Sequence, residues 1–464
     1  MVFQRFYLEP LAQAAYLIAD GSDAAVVDPR RDVDDLLAFA AQQGLTIRWA
    51  LATHTHADFV AGLREVAAAT GARIGMGDRF AGELRCERMR GGTALELGRC
   101  RIDVLATPGH TLDSVCYLVH PVPGHDEPLR LCSGDTLFLG DVGRPDLAAG
   151  AGQQPRDMAR LLFDSLRTLA PLPDATEVWP AHGAGSPCGT NISCEASSTL
   201  GVQRLANWAL AERDAERFVD RLVSAQQPPP AYFARVVAAN RRGPRLLGEL
   251  PLPERCTAAA FAGAAQAPGT VVVDVRSSDA HAKGHWPGAI NVGADGKDFE
   301  NWCGALLPPD APLCLHAESA AQFARAWQRL LRIGGERVAA WTDETAPQPA
   351  RHPRQSAVEL FAALQERSAP LQVVDVRRPG EWTQSHVPGA VHVPLGPLLA
   401  QLPAAQRLDR RRRTFVICRT GYRSSAAIAL LRRAGFTDLV DVSDGMQGWL
   451  GNHLPVAAEA GAPA

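Results

Sequence analysis

Residues 49–59 read WALATHTHADF. An apolar run that stops at a polar, histidine-bearing turn is the pattern of a buried strand ending where the chain swings toward a helix, and FVAGLREVAAATG from Phe59 supplies that helix-like stretch. Layered α/β structures place their chemistry at such strand ends. Alternate residues of an extended segment point the same way, so His54, His56 and Asp58 share one face. Working outward, the same rhythm recurs in AAVVD upstream and in RIDVLATPGH, PLRLCSGD and EVWPAHG downstream, interleaved with helix-like DVDDLLAFAAQQG. The downstream strand ends contribute His110 in TPGHT, Asp135 in SGDTLF and His182 in PAHG.

At 464 residues the chain exceeds one hydrophobic core and suggests three domains. A composition of 46% hydrophobic and 21% charged residues, with net charge -3, offers no field to attract nucleic acid or anionic lipid, and neither partner is expected. No apolar run reaches the ~18 residues of a membrane helix, and MVFQRFYLEPLAQAAYLIADG lacks the layout of a secretory leader. Ten scattered cysteines suit reduced thiols, so a cytoplasmic location is the expectation. The sequence leaves homo-oligomerisation open.

Beyond a polar, proline-rich passage at 226–253, read as a linker, the chain repeats itself. DVRSSDAHAKGHWPGAIN from Asp274 answers DVRRPGEWTQSHVPGAVH from Asp375, an offset of 375 − 274 = 101 residues that holds at His285/His386 and Gly334/Gly435. Two duplicated α/β units follow, at 254–345 and 355–457.

The succession HxHxD, PGHT, GDT and PAHG resembles the metallo-β-lactamase superfamily over residues 1–225, which implies an αββα sandwich there, and the duplicated units that follow resemble two rhodanese-like α/β domains. Dinuclear hydrolases similar to glyoxalase II carry a further histidine where this chain has Phe59, and a phenyl ring offers no lone pair to a second ion. The chain looks more like the persulfide dioxygenases of that superfamily. That resemblance implies one Fe(II) per chain held by His54, His110 and Asp135, a two-His, one-carboxylate set with positions left for O₂ and substrate. His56, Asp58 and His182 then orient ligands or solvent, with ligation by His56 as an alternative. GRPD places Arg144 near the metal, where it would grip a substrate carboxylate or else pair structurally with Asp146. Cys188, in SPCGT, either carries sulfane sulfur near the iron or is a packed loop residue.

In ICRTGYRSSAAIALL an apolar strand runs into a glycine-containing loop and a helix, which puts Cys418 at a helix N-terminus beside Arg419 and Arg423. With DVR upstream and DGMQGW downstream the stretch resembles a rhodanese domain, and the C-x4-R spacing favours sulfur over the C-x5-R phosphatase loop. Subtracting 101 from 418, 421 and 423 lands on Ala317, Ala320 and Gln322, so the first copy is expected to be catalytically silent, with Cys314 on a buried strand no substitute.

These readings imply oxidation of a low-molecular-weight thiol persulfide by O₂ to sulfite, coupled to sulfur transfer through Cys418 onto sulfite or a thiol. Two rivals are a zinc-dependent thioester or lactone hydrolase, and a sulfane-sulfur carrier whose N-terminal domain is not catalytic.

Overall fold

The computed structural model describes residues 1–124, 128–147, 152–189, 191–224, 229–366, 370–396, 398 and 408–458. Two compact units divide it, Met1–Pro251 with Leu330–Gly335, and Leu252–Arg329 with Glu336–Ala464.

In the first unit, strands β1 (Val2–Leu8), β2 (Gln13–Asp20), β3 (Asp23–Val27), β4 (Thr46–Leu51), β5 (Arg73–Gly77) and β6 (Glu87–Met89) form one sheet in that order. A second sheet runs β12 (Ser198–Thr199), β11 (Glu177–Pro180), β10 (Arg130–Gly134), β9 (Val115–Val119), β8 (Cys100–Ala106) and β7 (Ala94–Leu97). The period-two alternation of the strands explains why the sheets stack. Along β9, Val115, Tyr117 and Val119 join Tyr16, Ile18, Val27 and Leu51 in the core between the sheets. Cys116 and Leu118 turn the other way, into a second core with the helices Pro155–Arg167 and Ala215–Ser224. The first of these helices buries Met158, Ala159, Leu162, Ser165 and Leu166, a stripe of helical spacing, and starts on a proline whose missing N–H costs nothing there. The architecture is the expected αββα sandwich.

The second unit holds two parallel sheets. The first has the order β14 (Ile290–Asn291), β13 (Val271–Asp274), β15 (Leu313–His316), β16 (Val338–Thr342). The second has the order β17 (Arg354–Gln355), β21 (Leu439–Val442), β20 (Arg413–Ile417), β18 (Leu371–Asp375), β19 (Val391–His392). Asp274 pairs with Asn291, and 101 residues later Asp375 pairs with His392, so the sequence repeat is a structural one.

One expectation is corrected. The stretch read as a linker, 226–253, begins outside the described residues, but from Phe233 to Arg242 it forms a helix that belongs to the first unit. Prolines at 228–230 precede that helix and do not interrupt it, while Phe233, Val236, Ala239 and Asn240 form its buried face.

Candidate functional site

The polar strand ends of the sandwich converge. Thr53 to Phe59 follow β4, His110 follows β8, Asp135 follows β10 and His182 follows β11, and all of these side chains are buried. His54, His110 and Asp135 offer ligand atoms within 4.8 Å of one another. Nε2 of His54 and of His110 stand 3.8 and 3.5 Å from Asp135 Oδ2, and that carboxylate oxygen has no hydrogen-bond partner. An unpaired buried anion oxygen facing two imidazole nitrogens is costly unless a cation joins them, so the residues fit a metal ion.

The tautomers support that fit. His110 Nδ1 donates to the carbonyl of Arg144 at 2.8 Å, which leaves Nε2 bare. His54 is set by a relay: the Thr53 hydroxyl donates to Asp28 Oδ2 at 2.8 Å and therefore accepts from His54 Nδ1 at 2.9 Å, again freeing Nε2. Asp28 Oδ1 also accepts from the Thr53 N–H at 2.7 Å and from His56 Nε2 at 2.9 Å. Asp28 sits at φ 52°, a left-handed conformation rare for a non-glycine residue, held by these three bonds. Sequence reasoning passed over it, although an aspartate directly after the apolar run AAVV is the same kind of strand-end signal that flagged Asp135. Burial and the neighbouring His56 push the His54 pKa well below its usual value, and burial lowers that of His110.

His182 bridges two carboxylates, with Nδ1 2.7 Å from Asp135 Oδ1 and Nε2 2.8 Å from Asp58 Oδ2. Burial acts to lower its pKa, but Asp135 and Asp58 outweigh that and raise it well above the usual value. His56 lies between His54 and Phe59 with tilted rings whose centroids are 4.1 and 4.3 Å away, and its Nδ1 is buried without a partner. Phe59 is fully buried beside it. Asp58, His182 and Cys188 make a second group of mutually close ligand atoms. Burial, then Asp58 and Asp135, push the Cys188 thiol well up, so the thiol is protonated.

Arg144 is bound bidentately by Asp146 at 2.7 Å through Nε and Nη2, and Nη1 donates to the carbonyl of Pro187. This is the structural pairing of the two alternatives, and it ties the GRPD turn to the Cys188 loop. Gly143 fits between them because a Cβ there would lie 2.2 Å from the Asp135 carbonyl and 2.8 Å from His110 Nδ1. A narrow crevice leads from His54 and His56 past Arg64, Met76 and Leu84. It adjoins an open cavity of about 470 Å³ lined by Arg64, Arg85, Arg242 and Glu83.

In the second unit Cys418 lies between β20 and the helix Tyr422–Arg433, fully buried, with its Sγ accepting from the Gly421 N–H at 3.2 Å and 3.4 Å from Ser424 Oγ. Gly421, at φ 82°, takes a turn that a side chain would block against the Ser443 carbonyl. Arg419 is exposed. Arg423, expected to cradle the sulfur anion, instead gives both Nη groups to Glu381 at 2.6 and 2.7 Å. The first copy packs on this loop. Tyr422 donates to the Gly293 carbonyl at 2.9 Å, Ser425 to Asn291 at 2.7 Å, and the Arg423 guanidinium lies 6.0 Å from the Trp302 ring centre. In that first copy Ala317 occupies the cysteine position, and burial pushes Cys314 up to about 11.

A buried His/Asp cluster at the strand ends of an αββα sandwich defines a candidate metal centre, and the comparisons with known proteins agree with that fold. The metallo-beta-lactamase superfamily profile matches residues 8–182, and the rhodanese-like domain profile matches 257–341 and 357–452. The crystal structure of a metallo-beta-lactamase from Staphylococcus aureus subsp. aureus COL is 32% identical with a TM-score of 0.65, covering 74% of this chain and 98% of that one. A beta-lactamase hydrolase-like protein of Xylella fastidiosa (strain 9a5c) is 29% identical over 52% of this chain and 59% of its own. A hydroxyacylglutathione hydrolase of Anaeromyxobacter dehalogenans is 36% identical over 37% of this chain and 62% of its own. The chain thus spans about three-fifths of the length of these curated relatives. The chain belongs to the metallo-beta-lactamase superfamily, with two rhodanese-like domains following that fold. Among the described residues no helix is long and apolar enough to cross a membrane.

Proposed function

We propose that the chain is an iron-dependent persulfide dioxygenase coupled to a rhodanese sulfurtransferase. The observation that carries this reading is the convergence of His54 Nε2, His110 Nε2 and the unpaired Asp135 Oδ2, with Phe59 buried where a second ion would look for a donor. When bound there, iron(II) supplies the redox-active centre at which O₂ oxidises the terminal sulfur of a thiol persulfide. The overall conversion takes one persulfide, one O₂ and one water to sulfite and free thiol.

The chain's own residues do the rest. Arg144 and the Thr53–Asp28 pair hold the two imidazoles in the tautomer that presents Nε2. His182 clamps Asp135 Oδ1, so that Oδ2 is the oxygen turned inward. The crevice past Met76 and Leu84 is narrow and partly apolar, while Arg64, Arg85 and Arg242 around its mouth suit a carboxylate-bearing carrier such as glutathione persulfide. Cys418, as a persulfide, would hand its outer sulfur to sulfite, giving thiosulfate, or exchange it with the carrier thiol.

A second reading, a zinc-dependent thioester or lactone hydrolase, is favoured by the Asp58, His182 and Cys188 group, a candidate for a second ion, and by the match to a hydroxyacylglutathione hydrolase. Metal analysis of the purified chain with O₂ uptake on glutathione persulfide decides between them. About one iron per chain and persulfide-dependent O₂ consumption, lost in His110→Ala, supports the dioxygenase. Two zinc ions, no O₂ uptake and thioester hydrolysis support the hydrolase.

A further inference from the structure

The rhodanese copy that lacks a nucleophile carries a cluster its active twin does not. His281, from the helix Ser278–Lys283, His285 just beyond it and His352 ahead of β17 are buried and offer nitrogens within 4.8 Å of one another. Their tautomers are legible. His281 Nδ1 donates to Asp274 Oδ2 at 2.9 Å, and Asp274 is itself held bidentately by Arg276, so the imidazole is oriented by a carboxylate and its Nε2 carries a lone pair. His285 Nδ1 donates to the His281 carbonyl at 2.7 Å, which leaves Nε2 as an acceptor that Arg432 Nη1 meets at 3.3 Å. His281 Nε2 has no partner, and neither nitrogen of His352 has one. Unsatisfied polar atoms at this depth are destabilising unless something joins them.

The second copy serves as an internal control. At the positions 101 residues on, Trp382 and His386 stack with ring centroids 3.6 Å apart and planes 11° apart, as His281 and His285 do at 3.8 Å and 15°. The stack is a structural device of the repeat and needs no second histidine. The first copy keeps the stack, replaces the indole by an imidazole and brings His352 to its side, with ring centroids 5.5 and 5.6 Å from the pair.

We propose that His281, His285 and His352 bind an imidazole-preferring transition-metal ion of the zinc(II) class, which clips the first rhodanese copy to the segment entering the second. Three protein nitrogens leave a fourth position for water. Zinc–nitrogen bonds of about 2.0–2.1 Å require nitrogens about 3.3 Å apart, so the stacked pair opens and His352 closes in when the ion enters. Arg432 opposes the ion: its Nη1 lies 3.3 Å from His285 Nε2, and it must swing toward the Arg351 carbonyl, which its Nη2 already meets. Arg276 and Arg354 add positive charge, which Asp274, paired with Arg276, and Asp279 and Asp441, paired with Arg354, offset.

The test uses the full chain, stripped of metal and titrated with zinc against a chromophoric chelator, alongside His352→Gln and Arg432→Met. The expected result is one fewer tightly bound zinc per chain in H352Q, while O₂ uptake by the separately iron-loaded protein and sulfur transfer through Cys418 match those of the parent chain. R432M, relieved of a guanidinium a few ångströms from the ion, should bind the same zinc about tenfold or more tighter. Cobalt(II) substituted into the chain should give a visible spectrum of tetrahedral nitrogen ligation that H352Q lacks. Equal zinc stoichiometry in the parent chain and a folded H352Q overturns the proposal. Should H352Q fail to fold, R432M decides, and zinc affinity unchanged at every site overturns it equally.

Discussion

Asp28→Asn tests how far the metal centre depends on a residue that touches no ligand atom presented to the ion. The substitution is isosteric, and asparagine tolerates the left-handed backbone at φ 52°. Its amide has two orientations. With the NH₂ toward the Thr53 N–H and His56 Nε2, donors would face donors, so the amide oxygen must take the place of Oδ1 and the NH₂ that of Oδ2. The Thr53 hydroxyl then accepts a hydrogen bond where it used to donate one, and its own hydrogen turns to His54 Nδ1. His54 is driven to the Nε2–H tautomer, which blocks the nitrogen that faces Asp135. Loss of such an orienting partner weakens metal binding ~10–100-fold, or ~1.4–2.7 kcal/mol. Iron affinity by chelator competition, with circular dichroism to show the fold intact, is the assay. Affinity within twofold of the parent in a folded D28N chain would refute the relay.

Other perturbations probe other links. Gly143→Ala should displace His110 from the Arg144 carbonyl and Asp135, lowering iron content and costing ~1–3 kcal/mol of stability by overpacking, read as a drop in melting temperature. Cys418→Ser should abolish protein persulfide labelling and slow sulfur transfer at least ~100-fold, while O₂ uptake on supplied persulfide stays within twofold. Burial would raise the Glu381 pKa, but Arg423, with help from the Arg378 N–H and Arg377, holds it at about 2. A depressed carboxylate stabilises the fold above its unfolded value of ~4.3 and loses that contribution as pH falls toward 2. Because Glu381 is 29% exposed, the contribution is discounted for solvent screening to ~1–2 kcal/mol. Urea titrations should show the gap between the parent chain and Glu381→Gln narrowing from pH 4.5 to pH 2, and a gap constant over that range would contradict the pairing.

Much of the site was legible because its ligand candidates stand directly after apolar strands, in short motifs with recognisable spacing. Asp28 was not, since its partners lie 25 and 28 residues on and only the sandwich brings them together. The fate of Arg423 was hidden for the same reason: Glu381 is 42 residues upstream, and a cysteine loop read alone assigns the nearest guanidinium to the sulfur. The helix Phe233–Arg242 was missed by weighing prolines above periodicity. Its apolar spacing and the glycine that follows it at 243 were both in view. The silent first copy, by contrast, could be read from one subtraction, because a constant offset turns an absent nucleophile into an observation.

Asn240 on that helix has a consequence for how such a protein can be divided or joined. Its amide donates to the carbonyls of His56 and Phe59 and accepts from the Ala61 N–H, each at 2.9 Å, so the loop bearing the candidate ligands is buttressed from nearly two hundred residues away. A fragment of the first unit cut where the superfamily match stops, at residue 182, or at the expected boundary near 225, would keep its ligand candidates and lose that buttress. The structural unit is therefore longer than its motifs. A gene fusion or an expression boundary that keeps the buttress falls after about residue 251, where the first unit's continuous segment ends, and still gives up the Leu330–Gly335 segment that belongs to the same unit.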